Sequence, residues 1–287
     1  KLDNQEYKIA VVANMSSGKS TFINALFGKE VLPAYNHATT DSATYIYSKP
    51  NIEKKAEIFF SDNKENLEVF ENIESEIKQY AQKDEDCKDD KYKNVEKIDL
   101  YYPFENLQTS SNEDFSITFI DTPGPNSTGD YGQKHKDQTR SVLNSVDMAL
   151  FTFDYGQLDA NLKSDEQGLW TTIEKKIKGD KKEILNSNED FEIYFLINKI
   201  DMALTDNFPK RKNKKLVKEN WFKKEKEAVK TLEEAILKHK IEKNKIEIFP
   251  VSSEYQLLQR GKHFNKRDKR VLLALEEDIE EIFPDKN

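Results

Sequence analysis

From Tyr7 to Gly28 an apolar run, YKIAVVA, passes through NMSSGKST into FINALFG. The first segment has the length and continuity of a strand buried on both faces. The apolar spacing of the last segment and its closing glycine predict a short helix with a glycine stop. Strand, glycine-bearing turn and helix in that order frame a phosphate-binding loop. The loop proper is Ala13-Asn14-Met15-Ser16-Ser17-Gly18-Lys19-Ser20, with Ala13 where the usual pattern has its first glycine. The physics survives that exchange. Asn14, Ser16, Ser17 and Gly18 line the loop, and backbone N–H groups from Ser17 to Thr21 converge on phosphates at a helix N-terminus. Lys19 would neutralise the β- and γ-phosphates, and the Ser20 hydroxyl would reach Mg²⁺. A plain strand–turn–helix corner with a chance GKS is the competing reading.

Further strand-like runs lie at Ala43–Tyr47, Phe115–Ile120, Met148–Phe153, Phe191–Ile197 and Lys245–Val251. Helical patterns separate the later ones, at Lys134–Val146, Asp159–Lys178 and Leu216–Lys243, and Lys266–Ile282 reads as a terminal helix. Strands alternating with helices predict an α/β fold with a mostly parallel central sheet covered by helices on both faces. Between about residues 49 and 114 the pattern breaks. There lie a strand-like Ala56–Phe60, a helical Leu67–Gln82, a charged link Lys83–Lys93 and a strand-like Lys97–Tyr102. This stretch is too short and polar to bury a core of its own, and reads as an insertion within one domain spanning residues 1–287.

Three later segments bear on the phosphate loop. Asp121-Thr122-Pro123-Gly124 follows a strand, at the end of the sheet where ligands bind in such folds. Its carboxylate would hold Mg²⁺ through a water and the Gly124 N–H would meet a γ-phosphate; a bare Pro-Gly turn is the alternative. Asn198-Lys199-Ile200-Asp201 follows FEIYFLI. A carboxylate at Asp201 can accept from both the ring N–H and the exocyclic amine of guanine, whereas adenine would leave buried groups unpaired. Lys199 would lie along the base, and an Asn-Lys helix cap is the bland reading. After the sixth strand, a backbone N–H of Ser252 or Ser253 is placed to meet guanine O6. Four such segments, each after a strand and all in order, outweigh any one of them.

Composition narrows the class. No stretch approaches the roughly 18 apolar residues of a membrane-spanning helix, and Lys1–Lys8 carries no signal-peptide core. A single cysteine, Cys87, excludes a disulfide framework and a clustered-cysteine zinc site. With 45 Lys+Arg against 53 Asp+Glu, the acidic balance argues against a general nucleic-acid coat. These features predict a cytoplasmic protein. The chain opens on Lys1, which suggests an excised piece of something longer.

The chain resembles the GTPase domain of bacterial dynamin-like proteins. NMSSGKSTFINALFG and the following EVLPAYNHATTDSATYIY carry the likeness: a Ser inside the phosphate loop, an LP after the first helix, a Thr beyond it, and a long excursion before DTPG. The resemblance implies GTP or GDP with Mg²⁺ as ligands and hydrolysis of GTP. It casts Ser16 as the catalytic loop serine, which helps hold a monovalent cation (Na⁺ or K⁺), and Thr40 as the switch I threonine on Mg²⁺, with Thr39 a close second. It also implies a homodimer of GTPase domains across their nucleotides. Membrane remodelling or assembly would follow through regions outside this chain, placing the protein peripherally at the inner face of a membrane.

Two departures bear on rate. Met15 stands where dynamins carry a water-orienting glutamine, and Pro125 follows Gly124 where Ras-like enzymes carry theirs. The arginines, Arg140, Arg211, Arg260, Arg267 and Arg270, all lie far in sequence from the phosphate loop and switch I, so an arginine finger in cis is not expected. A slow or non-hydrolysing GTP-gated binding module, or a GTPase acting on ribosomes or replication machinery, are the alternatives. Lys210–Lys218 (KRKNKKLVK) reads as a solvated approach to a helix, with a patch for anionic lipid or nucleic acid as the alternative. His37 and Cys87 read as loop bystanders, and Trp170 and Trp221 as packing residues.

Overall fold

The computed structural model describes residues 5–13, 17–33, 42–49, 51–62, 65–81, 88–104, 115–123, 130–163, 191–205, 214–239 and 246–253. The expected terminal helix, the helix beyond residue 163, His37, Cys87 and Trp170 lie outside them.

The chain order is β1 (Gln5–Ala13), α1 (Lys19–Phe27), β2 (Ala43–Ser48), β3 (Lys55–Phe60), β4 (Leu67–Val69), α2 (Ile73–Tyr80), β5 (Val95–Tyr101) and β6 (Phe115–Asp121). Then come α3 (Asp130–Leu143), β7 (Met148–Asp154), α4 (Leu158–Lys163), β8 (Glu192–Asn198), α5 (Met202–Thr205), α6 (Lys214–Lys238) and β9 (Ile248–Pro250). The strands form one sheet in the order β4-β3-β5-β2-β6-β1-β7-β8-β9. From β6 through β1, β7 and β8 to β9 every neighbour is parallel, so Asp121, Ala13, Asp154, Asn198 and Pro250 all end their strands on one side of the sheet. The α/β expectation with a mostly parallel sheet is met.

Strand β1 shows why the run IAVVA is unbroken. Ala10 and Val12 face one core with Val142 and Leu143 of α3, Leu158 of α4 and Leu232 and Ile236 of α6. Ile9 and Val11 face the other, with Ile23 and Phe27 of α1 and Ile73 and Ile77 of α2. A central parallel strand has no solvent face, so alternation disappears, and each fully buried Val or Ile contributes about 1.5–3 kcal/mol. Helix α1 stops at Gly28, in the left-handed region at φ 74°, whose N–H donates to the Ala25 carbonyl at 3.3 Å. That is the glycine stop expected of FINALFG.

Residues 49–114 continue the sheet past β2. β5 lies parallel to β2, β3 antiparallel to β5, and β4 antiparallel to β3. Ala56, Ile58, Ile98 and Leu100 share the core of α1. One expectation is corrected here. Leu67–Gln82 is not helical throughout: Leu67–Val69 is an edge strand paired with Ala56–Ile58, and the helix starts only after Asn72, at φ 52°. Pairing with β3 captures the first three residues, and the left-handed turn at Asn72 separates them from α2.

Helix α2 is clipped onto the chain leaving α1. Lys29 Nζ donates to Glu74 at 2.6 Å, Tyr102 Oη donates to the same carboxylate at 2.8 Å, and Lys78 pairs with Glu30 at 3.1 Å. Partial burial alone would raise the Glu74 pKa, but the bond from Lys29, a backbone N–H bond of its own residue and the bond from Tyr102 outweigh it and bring the carboxyl down to about 2. Buried Asn24 fixes the same exit, donating to the Leu32 carbonyl and accepting from the N–H groups of Val31 and Leu32 at 2.8–2.9 Å.

Candidate nucleotide site

At the strand ends, the crevice is built around Gly18. Its φ of 82° belongs to the left-handed region, and a Cβ there would lie 2.4 Å from Asn198 Nδ2. Only glycine meets both demands. Its carbonyl accepts the first helical bond, from Phe22 N–H at 2.8 Å. Among the described residues no side chain caps this end of α1, and its first turn holds no acid. The N–H groups at Lys19, Ser20 and Thr21 are therefore oriented for an anion.

Lys19 and Asp121 lie close enough at the foot of α1 for their charges to interact. Desolvation pushes the Lys19 ammonium below its ordinary pKa, opposed by the Asp121 charge. Desolvation pushes the Asp121 carboxyl up, opposed by Lys19 and by the Ser20 hydroxyl. Ser20 Oγ donates to Asp121 Oδ2 at 2.8 Å, while Asp121 Oδ1 is buried with no hydrogen-bond partner among the described residues. A hydroxyl oxygen beside a carboxylate with an idle buried oxygen is the hard-oxygen donor set that suits Mg²⁺. The residues present thus fit the ion. Thr122, fully buried, donates to the Val11 carbonyl at 2.9 Å and fixes the chain as it leaves β6.

The other end of the crevice is held mostly by its own hydrogen bonds, although Ser253 Oγ is buried with no partner among the described residues. Asn198 Nδ2 donates to the Ser17 carbonyl at 3.0 Å and reaches the Gly18 carbonyl at 3.4 Å. Asn198 Oδ1 accepts from Lys199 N–H at 2.9 Å and Ser253 N–H at 3.1 Å. This one side chain thereby stitches the phosphate loop to the ends of β8 and β9, and the Ser253 N–H serves that framework. Ser252 Oγ donates to Asp201 Oδ1, orienting the carboxylate. Lys199 holds φ 60°, which costs a non-glycine residue about 1–2 kcal/mol. Its Nζ lies 2.7 Å from Asp154 Oδ2, and Asp154 Oδ1 accepts from Gly156 N–H at 2.8 Å.

The structure therefore brings together Ser17, Gly18, Lys19, Ser20, Thr21, Asp121, Asn198, Lys199, Asp201, Ser252 and Ser253. Asn14, Met15, Ser16, Thr39, Thr40, Gly124 and Pro125 lie outside the described residues. Sequence reading missed Asp154, hidden at the end of an apolar strand, and Asn24, a polar break in the apolar pattern of α1. Arg140 sits exposed on α3. Among the described residues no helix is long and apolar enough to cross a membrane.

A mostly parallel sheet carrying a lysine-bearing loop, a strand-end aspartate and an Asn-Lys-x-Asp segment at one end of its strands defines a P-loop G domain. The dynamin family model matches residues 9–191, and the chain belongs to that family. An uncharacterised protein from the xynA 3′ region of Caldicellulosiruptor sp. is 26% identical over 258 residues, 90% of this chain and 51% of that protein. A bacterial dynamin-like protein of Nostoc punctiforme is 32% identical over 126 residues, 42% of this chain and 17% of that one. A solved structure of an oligomerised bacterial dynamin pair, described as sensing and tethering membranes over long range, aligns with 99% of this chain. It does so over 39% of its own length, at a TM-score of 0.54 and 17% identity, which speaks for the fold. The chain spans about half or less of the length of these relatives.

Proposed function

We propose that this chain binds GTP with Mg²⁺, hydrolyses it, and pairs with a second copy across the nucleotides to do so. The observation that carries this reading is the Ser20–Asp121 pair, with its idle carboxylate oxygen, set beside Lys19 at the uncapped end of α1. In the reaction a water oxygen bonds to the γ-phosphorus, the bond from phosphorus to the β–γ bridging oxygen breaks, and GDP and phosphate leave. Lys19 and the α1 N–H groups neutralise charge that grows on the β–γ oxygens. Ser20, Asp121 and Thr40 would hold Mg²⁺, which would supply further charge neutralisation, and the Gly124 N–H would meet the γ-phosphate. Ser16 contributes a ligand to a monovalent cation. Asn198 fixes the framework while Lys199, Asp201 and the Ser252–Ser253 turn receive guanine.

Pairing of G domains is supported by two facts. Met15 and Pro125 replace both familiar water-positioning side chains, and one solved neighbour is an oligomerised dynamin pair. Membrane remodelling or assembly, driven through regions outside this chain, is the cellular role that accords with that neighbour. The same Met15 and Pro125 favour a second reading, a GTP-gated module with slow hydrolysis.

The test is GTP turnover per molecule across protein concentrations, in Na⁺ and in K⁺. Turnover should rise steeply with concentration, and fall at least about a hundred-fold in Lys19→Ala. A flat, negligible rate despite tight GTP binding would contradict catalytic pairing and leave the gated module.

A further inference from the structure

We infer that Asp154 is a positioning residue for nucleotide binding, acting through Lys199; the inference rests on the guanine-nucleotide reading above. Asp154 closes the apolar strand β7, directly opposite Asn198 in the β7–β8 register, and is only 3% exposed. A carboxylate at such a place is costly unless both oxygens are engaged. Both are: Oδ2 holds the Lys199 ammonium at 2.7 Å and Oδ1 holds the Gly156 N–H at 2.8 Å.

The contacts close into a ring. Met202 N–H donates to the Lys199 carbonyl at 3.0 Å. A Cβ at Gly156 would meet Met202 Cε at 3.0 Å and Asp154 Oδ1 at 3.4 Å, so the turn after β7 is packed directly onto the segment after Lys199. Lys199 is consequently gripped at both ends. Its left-handed backbone is held by Asn198 and Met202, and its ammonium by Asp154. The four-carbon stem spans these two anchors, and such an apolar stem offers a purine ring a surface to lie on. Without Asp154 the stem loses its carboxylate anchor at 2.7 Å and is held less firmly against the base.

Asp201 and Asp154 then do separable work: Asp201 reads the base edge, and Asp154 keeps the stacking surface in place. Fluorescent GDP and IDP, which differ by the exocyclic amine, distinguish them in direct titrations. Asp154→Asn should raise the Kd for both nucleotides by the same factor, about ten-fold, leaving their ratio as in the natural chain. Asp201→Asn should collapse that ratio. Lys199→Met should weaken binding as much as Asp154→Asn does, and the double variant should bind within about three-fold of Lys199→Met alone. Asp154→Ser, whose hydroxyl still accepts from Gly156 N–H, gives the same comparison if the Asn variant does not fold.

Unchanged affinity in both Asp154 variants, or losses that multiply in the double variant, would overturn the inference while leaving nucleotide binding intact. A natural chain that binds neither nucleotide would overturn the guanine-nucleotide reading itself, and this inference with it.

Discussion

The two ends of the crevice are built on opposite principles. At the base end, Asn198 engages both of its polar atoms, Ser252 engages Asp201, and Asp154 engages Lys199. At the phosphate end, Lys19 is desolvated, Asp121 is buried with an idle oxygen, and the first turn of α1 is uncapped. One end is largely engaged before any ligand arrives, with Ser253 Oγ the buried exception among the described residues, and the other is held short of electrostatic satisfaction. Preorganised hydrogen bonds suit recognition of a rigid base, where every loose group would weaken selectivity. Unsatisfied charge suits a ligand that brings both anionic oxygens and a cation, because binding then relieves what folding left unpaired.

That contrast can be broken by substitution. The largest expected stability effect is at Asn198. Asn198→Ala removes bonds to four backbone groups and should destabilise the free chain by about 2–4 kcal/mol in denaturant titrations. A loss below about 0.5 kcal/mol would mean the base end is not the framework described. Gly18→Ala should follow, at about 1–3 kcal/mol, because a methyl group collides with the Asn198 amide and the backbone is left-handed. Its nucleotide affinity should fall with its stability.

Acid titration sharpens the comparison with smaller effects of opposite sign. Glu74 has its folded pKa at about 2, below its ordinary 4.5. Its stabilising contribution is complete above about pH 4.5 and is lost as pH falls toward 2. Asp121, whose folded pKa is raised, behaves in the opposite sense. Its buried charge disfavours the free fold at neutral pH, and that penalty is relieved as acid protonates it. Glu74→Gln should flatten the acid limb of the stability curve by a small amount, since the pair is partly solvated. An acid limb identical to that of the natural chain would remove the clip between α1 and α2.

Much of the fold was legible because it rests on local signals. YKIAVVA reads as doubly buried because β1 is central, and Gly28 reads as a stop because α1 ends there in the left-handed region. The Ser20–Asp121 and Gly18–Asn198 encounters were foreshadowed by motifs that each follow a strand. What could not be read depends on distant partners. Leu67–Val69 is a strand only because Ala56–Ile58 offers it an edge. Asp154 looks like the polar end of an apolar run until Lys199 is seen 2.7 Å away. Sequence spacing also gives no sign that β5 lies parallel to β2 while β3 turns back against it.

The central claim is that this crevice receives a guanine nucleotide together with Mg²⁺. Calorimetric titration of the chain with GDP, a non-hydrolysable GTP analogue and ADP, each with and without Mg²⁺, tests it directly. The guanine nucleotides should bind at least about a hundred-fold more tightly than ADP, and the triphosphate analogue should gain most from Mg²⁺. Equal binding of ADP, or an affinity for the triphosphate that ignores Mg²⁺, would contradict it.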